Sequence, residues 1–337
     1  MFVKQVNIQE FRGIKNCNNP LEFSDFTVLI GRNNSGKSSV LEALSLLPFP
    51  HTGFRLPYYN ESRTELLAQL LGGKSSLVYA YSGFAKIEYV IKDKKWTLSF
   101  DERSEPKLEI ENIPPEHMLS NPQNSTAKAL GILPGIETTR EINRMVFFIP
   151  NDTSFLEKIS SAMQEVSNRD FIIKTGAHVR VAKLINDCVD DEYSEVLFSP
   201  ELRFRKELPD NIFYIKIKDL GDGIKKIILL FLWLEALKPA LILWDDFEGS
   251  AHPSLISKVL SWLEKRRKDY NWQIILATHS IDVLNTILDL KPVDTKVIQL
   301  KKTTNDVLIH KNLDLEELEN LFDANQDPRK LVDLLEI

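Results

Sequence analysis

A chain of 337 residues with 43% hydrophobic content is long enough to bury one large core or two lobes, and no low-complexity segment interrupts it. A net charge of −6 excludes a chain-wide basic surface for nucleic acid and leaves only local patches. Cys17 and Cys188 stand far apart and match no metal or redox spacing, so a reduced cytoplasmic protein is expected. The first residues, Met1-Phe2-Val3-Lys4-Gln5-Val6, carry no secretory pattern. The long apolar run 227–244 is broken by Glu235, Lys238 and Pro239, which predicts a buried helix, a turn and a buried strand instead of a membrane span.

In chain order, Val3, Val6, Ile8 and Phe11 mark a first strand, followed by a turn at Arg12-Gly13-Ile14-Lys15-Asn16. Phe26-Thr27-Val28-Leu29-Ile30 is an apolar run and predicts a buried strand. It runs into Gly31-Arg32-Asn33-Asn34-Ser35-Gly36-Lys37-Ser38, then Ser39 and the helical Val40-Leu41-Glu42-Ala43-Leu44. The octet fits G-x-x-x-x-G-K-[ST] in the strand–loop–helix context that a P-loop needs. Glycines let successive N–H groups turn toward phosphate oxygens, and the helix N-terminus adds its positive dipole end. Lys37 is then placed for the β- and γ-phosphates of ATP, and the Ser38 hydroxyl for Mg²⁺.

Residues 48–60 are rich in Pro, Gly and Tyr and leave the core; a helix is predicted at 63–71. Segments 77–81, 85–91 and 96–100 predict antiparallel strands, with Lys92-Asp93-Lys94-Lys95 as a turn, and 103–143 reads as irregular and proline-bearing. A buried strand at 145–149 ends at Pro150-Asn151-Asp152, and helices are predicted at 155–166 and 179–190. A strand at 213–217 leads into Asp219-Leu220-Gly221-Asp222-Gly223-Ile224-Lys225, a turn that opens the apolar helix 227–237.

Leu241-Ile242-Leu243-Trp244-Asp245-Asp246 has the form of a Walker B strand, four apolar residues delivering acids to a strand end. Asp245 would hold Mg²⁺ through water, and Asp246 would act as general base. Glu248 is a possible substitute for it, and His252-Pro253 follows. Segment 272–280 is a further buried strand ending in Thr278-His279-Ser280, where His279 is placed to sense the γ-phosphate. No heptad run is sustained, so no long coiled-coil arm is expected.

These elements, in this order and with the opening Val6-Asn7-Ile8-Gln9-Glu10-Phe11-Arg12-Gly13, resemble the ABC-type ATPase head of the RecF, SMC-like and OLD group. The resemblance is specific over 1–47 and 213–310, with 48–212 as the family's variable lobe and 311–337 as its helical end. It implies an α/β fold, a P-loop NTPase head spanning 1–337 with a mostly parallel core sheet, an antiparallel β-lobe and a helical lobe. It also implies an ATP-dependent homodimer in which each ATP lies between one subunit's P-loop and the other's signature. Leu220, Gly221, Asp222, Gly223 and Lys225 would form that signature, with the two glycines facing the partner's γ-phosphate. Arg12 would lie near the nucleotide edge, Ser250-Ala251 would form the D-loop, and Asn151 or Asp152 would stand near the Gln-loop position.

Two departures from the family pattern matter. Asp246 stands where Glu is usual and is one methylene shorter, which implies slow hydrolysis. The signature reads Gly-Asp-Gly-Ile and lacks the usual Ser and Gln. The implied function is an ATPase acting on DNA in repair, recombination or defence, with Lys92–Lys95, Arg203-Phe204-Arg205-Lys206 and Lys265-Arg266-Arg267-Lys268 as candidate contacts. The alternative is a nucleotide-gated regulator of a separately encoded effector such as a nuclease or toxin. The acidic net charge, Asp246 and the lack of a Toprim-like segment favour it.

Overall fold

The computed structural model describes residues 1–50, 61–133, 138–188, 193–198, 201–249 and 252–331. Its strands are β1 (Val3–Phe11), β2 (Ile14–Cys17), β3 (Leu21–Glu22), β4 (Phe26–Ile30), β5 (Phe84–Ile91), β6 (Lys94–Asp101), β7 (Lys107–Ile110) and β8 (Val146–Ile149). They continue with β9 (Tyr193–Leu197), β10 (Arg203–Leu208), β11 (Asn211–Lys216), β12 (Leu241–Trp244), β13 (Gln273–Ala277), β14 (Thr295–Lys302) and β15 (Val307–Leu313). Twelve of them form one sheet in the order β7-β6-β5-β1-β2-β15-β14-β4-β13-β12-β8, with β3 beside β1. The other three make a separate antiparallel sheet, β11-β10-β9.

The large sheet changes character along its width. From β14 through β4, β13 and β12 to β8, neighbours are parallel. Here β4, β8, β12 and β13 are buried at every residue, as expected when helices cover both faces. At the other end, β1, β5, β6 and β7 pair antiparallel, and β5 and β6 alternate buried with part-exposed residues. Gln273 staples the two halves together. Its side chain is buried, accepts from the N–H groups of Phe2 (3.0 Å) and Val3 (2.8 Å), and donates to the carbonyls of Val3 (2.7 Å) and Ser24 (3.0 Å).

Each face of the sheet has its own core. Phe26, Val28 and Ile30 of β4, with Ile242 and Trp244 of β12, face a core built by the helices Asp222–Leu237, Pro253–Tyr270 and Ile281–Leu290. Leu29, Leu241 and Leu243 face the opposite way, toward the helix Lys37–Ser45 and the antiparallel strands. Residues Ile227 to Leu237 are all buried in the central helix of the first core, and Leu241–Trp244 forms the buried β12, so the apolar run 227–244 is the helix, turn and strand predicted for it. Among the described residues no helix is long and apolar enough to cross a membrane.

Some local expectations fail. Segment 77–81 is not a strand: it forms two short 3₁₀ turns, Lys74–Leu77 and Tyr79–Tyr81, because Ala80 (φ 51°) and Tyr81 (φ 65°) are left-handed and only Val78 bridges to Phe11. The described residues of 103–143 are not irregular: they hold β7 and the helices Pro115–Ser120, Pro122–Leu130 and Thr138–Arg144, with Pro115 and Pro122 at helix starts, where a missing N–H is harmless. Residues 134–137 lie outside the described residues. The helix expected at 155–166 is two, Thr153–Ala162 and Val166–Lys174, and the next begins earlier, as Ala177–Cys188. The C-terminal segment is helical at Leu315–Asp323 and Pro328–Leu331. Residues 51–60 and 332–337 lie outside the described residues.

Candidate functional site

Three parallel strands end at one place. β4 opens into the loop 31–36, β12 into Asp245-Asp246, and β13, lying between them, into Thr278-His279-Ser280. The loop closes tightly on β14 and β15. A Cβ on Gly31 (φ 149°) would sit 2.4 Å from the Leu300 carbonyl, and one on Gly36 (φ 99°) would sit 2.9 Å from Leu308. The helix starts at Lys37. The Lys37 side chain folds back under the loop, and Nζ donates to the carbonyls of Gly31 and Arg32, both at 2.9 Å. Burial lowers its pKa to about 8, against the pull of Asp245, Glu248 and Asp246. Arg32, Asn33, Asn34 and Ser38 are exposed around it, and Ser39 is half-buried.

The acids divide into three situations. Asp245 is 9% exposed; burial raises its pKa, while hydrogen bonds from the Ser38 hydroxyl and the Asp246 N–H oppose the rise. Asp246 has a left-handed backbone (φ 47°), and its carboxylate accepts no hydrogen bond among the described residues. Glu248 is fully engaged: it accepts from the Thr278 hydroxyl (2.7 Å) and from the His279 N–H (2.6 Å).

The His279 peptide is gripped at both ends. While Glu248 holds its N–H, its carbonyl accepts from Arg329 (2.5 Å), whose guanidinium is fixed by Asp327 at 2.7 and 2.9 Å. The buried Gln299 anchors that segment by donating to the Pro328 carbonyl (2.6 Å). The imidazole is half-buried, and burial, then the charge of Lys37, lower its pKa. A further cation comes from the helix 222–237. Lys226 Nζ lies 3.4 Å from the Gly249 carbonyl and 6.0 Å from the Trp244 ring centre. Burial lowers its pKa, opposed by Asp246, Glu248 and Asp245.

Neither Lys226 nor Arg329 was found from sequence. Lys226 follows the expected signature by one residue, and spacing alone does not mark it as a cation facing the acids. Arg329 lies 50 residues from the carbonyl it holds, and no local pattern marks it.

Other expected site residues stand apart from this cluster. Arg12 (φ 55°) donates to Glu42 of the P-loop helix (2.7 Å) and to the Ser76 carbonyl (2.9 Å). Gly221 caps the helix 222–237, and Lys225 pairs with the exposed Asp222 at 2.9 Å. No hydrogen bond or ion pair among the described residues joins 220–225 to 31–38. Asp152 caps the helix Thr153–Ala162 through the N–H groups of Ser154 and Phe155, and Asn151 is exposed. Ser250 and Ala251 lie outside the described residues.

Two of the basic runs are largely neutralised: Arg267 and Lys268 pair with Glu264, Arg266 with Glu235 and Asp269, Arg203 with Glu201 and Arg205 with Glu207. In the third, Lys95 pairs with Glu88, Lys92 donates to the Leu130 carbonyl and Asp93 is taken by Lys4.

Among the described residues no cluster of three or more His, Cys, Asp or Glu is arranged to hold a metal. The Ser38–Asp245 pair still fits Mg²⁺, which takes one or two protein oxygens and leaves its other positions to phosphate and water.

A P-loop closing a parallel strand, beside a second strand ending in paired acids and a third ending in His, defines an ABC-type P-loop ATPase head. Residues 26–285 match the family model described as "AAA domain, putative AbiEii toxin, Type IV TA system", and the chain belongs to this family. It is 26% identical, over an alignment of 375 positions, to a Helicobacter pylori protein named "ATP/GTP phosphatase", covering 95% of this chain and all of that one. In fold it is similar to an SMC head solved bound to the C-terminal winged-helix domain of ScpA, with a TM-score of 0.63 at 14% identity over 95% of this chain and 100% of that one. A second similar fold is the Smc head with an extended coiled coil bound to a ScpA domain, derived from Pyrococcus furiosus. Its TM-score is 0.59 at 12% identity, over 96% of this chain and 99% of that one. The chain is an ATPase of this class.

Proposed function

We propose that the chain binds ATP with Mg²⁺ at Gly31–Ser38 and hydrolyses it slowly, and that two copies pair head to head on ATP. The observation that carries this reading is the meeting of three strand ends, which sets Lys37, the Ser38–Asp245 pair and His279 around one loop. The N–H groups of 31–36 and Lys37 receive the β- and γ-phosphates, flanked by Arg32, Asn33, Asn34 and Ser39. Ser38 and Asp245 would hold Mg²⁺, which supplies charge neutralisation at the phosphate oxygens. Asp246 takes the proton of the attacking water, and its uncommitted carboxylate supports that role. Glu248 has both oxygens engaged, which supports a positioning role toward His279 over the role of base. Neutral His279 then senses the γ-phosphate.

The signature residues Leu220, Gly221, Asp222, Gly223 and Lys225 act on the other copy's nucleotide in this reading. A Cβ on Gly221 would meet nothing within 4 Å among the described residues, which leaves room for close approach from outside. For the output of the cycle, the resemblance favours DNA. The neutralised basic runs, and the toxin system in the family's description, favour a separately encoded effector instead. The name of the Helicobacter relative makes GTP a second nucleotide to assay.

The test is the light-scattering mass of Asp246→Asn with Mg²⁺, with and without ATP. A doubling of mass only with ATP is expected. ATP binding without any change of mass would overturn the pairing.

A further inference from the structure

Apart from the nucleotide loop, the helices Ala177–Cys188 and Pro253–Tyr270 enclose a concavity of about 450 Å³. Arg180 and Lys183 line it from one helix, and Ser257, Lys258, Lys265 and Arg266 from the other, with Leu184 and Trp262 as its apolar lining. Among the described residues no acidic side chain lines it. Positions 258, 261, 262 and 265 share one helix face, as do 180, 183 and 184, so the donors are turned toward each other by helical spacing.

The two arginines are held from beneath. Glu235, with a side chain 1% exposed, pairs with Arg180 at 2.5 Å and Arg266 at 2.8 Å, and accepts from the Tyr270 hydroxyl at 3.2 Å. Arg266 also reaches Asp269 at 3.0 Å. Lys183, Lys258 and Lys265 are exposed and have no ion-pair partner among the described residues. The basic run 265–268 is thus split: Arg267 and Lys268 turn to Glu264, while Lys265 and Arg266 turn into the concavity.

We propose that this concavity binds a compact oligophosphate, carried either free or on a nucleoside. Ammonium, guanidinium and hydroxyl groups can all donate, and a phosphate chain offers only acceptors and several negative charges. A duplex backbone needs an extended row of free cations, and the arginines of the run 203–206 are spent on carboxylates. The site shares no residue with the nucleotide loop, so its test stands independently of the proposed ATP cycle.

The full chain carrying Lys37→Ala, which disables the nucleotide loop, is titrated calorimetrically with inorganic tripolyphosphate, with ATP and with a short DNA duplex. One tripolyphosphate per chain is expected, with affinity falling at least about tenfold when Lys183→Ala, Lys258→Ala and Lys265→Ala are added. Lys258→Glu alone should weaken binding in the same direction, and thermal melting checks that each variant folds. Equal affinities for ATP and tripolyphosphate would mean that the phosphate chain suffices. A tighter ATP would mean that the nucleoside is also held. No binding to the Lys37→Ala chain, unchanged binding after loss of the three lysines, or lysine-dependent binding of the duplex alone would each overturn the proposal.

Discussion

The two halves of the large sheet share hydrogen bonds and do different work. The parallel half, β14-β4-β13-β12-β8, is buried on both faces and ends in chemistry. The antiparallel half, β7-β6-β5-β1-β2, alternates inside and outside, and of the candidate nucleotide-site residues only Arg12, in the turn between β1 and β2, belongs to it. The difference follows from connectivity. Parallel neighbours send their C-terminal ends out on one edge, so loops from distant parts of the chain meet there. The hairpins β1–β2, β5–β6 and β6–β7 return each strand to its neighbour and gather nothing. A site is thus placed where the topology forces unrelated loops together.

Breaking that contrast should produce effects of graded size. Asp246→Asn at the end of β12 should lower turnover by about 10²- to 10⁴-fold and leave ATP binding intact, measured by steady-state phosphate release and equilibrium titration. Leu243→Ala and Leu98→Ala each empty a buried position, at 0% and 1% exposure, and each should cost about 2–5 kcal/mol in urea unfolding. Only the first, in β12, should also weaken ATP binding. Equal effects on ATP would erase the distinction between the halves.

Lys37 sharpens the site side through pH. Its ammonium is the form that attracts phosphate, and its pKa in this structure is about 8. A bound triphosphate raises that value, so affinity should hold below pH 8 and fall by up to about tenfold per unit above it. A flat profile from pH 7 to about 9 would exclude the shift. Arg329→Ala should lower turnover about tenfold with little change in ATP binding, and Arg329→Lys should restore part of it. The smallest effect belongs to the exposed Lys4–Asp93 pair on the antiparallel side, where Lys4→Ala should stay within about 0.5 kcal/mol by chemical denaturation.

The nucleotide loop was legible because its signals are local. An apolar run, Gly31 and Gly36-Lys37-Ser38 fall within thirteen residues, and the structure places strand, loop and helix there. Leu241–Trp244 and Gln273–Ala277 were legible for the same reason, each carrying a run of four apolar residues that ends in polar ones. Leu77-Val78-Tyr79-Ala80-Tyr81 misled because its composition suits a strand, and nothing local reveals the left-handed backbone at Ala80 and Tyr81. Pro115 and Pro122 misled in the opposite sense, since proline was read as breaking helices that it begins. Lys226, Arg329 and the commitment of Glu248 to His279 depend on tertiary neighbours and were beyond any reading of spacing. Asp152 shows the converse: a polar residue at a strand end was a cap for the next helix.

The double grip on the His279 peptide means that the aim of one imidazole is set by parts of the chain with separate fates. Glu248 arrives with the Walker-type strand, on the loop that follows the acids. Arg329 arrives with a short C-terminal helix that adds no strand to the sheet. Clipping the chain just before Asp327 would spare both cores and the nucleotide loop, yet leave the ring held from one side. Such a clipped protein should still load ATP and turn it over about tenfold more slowly, as Arg329→Ala does, so the segment that carries Arg329 sets the pace of the site without touching the loop that holds the nucleotide.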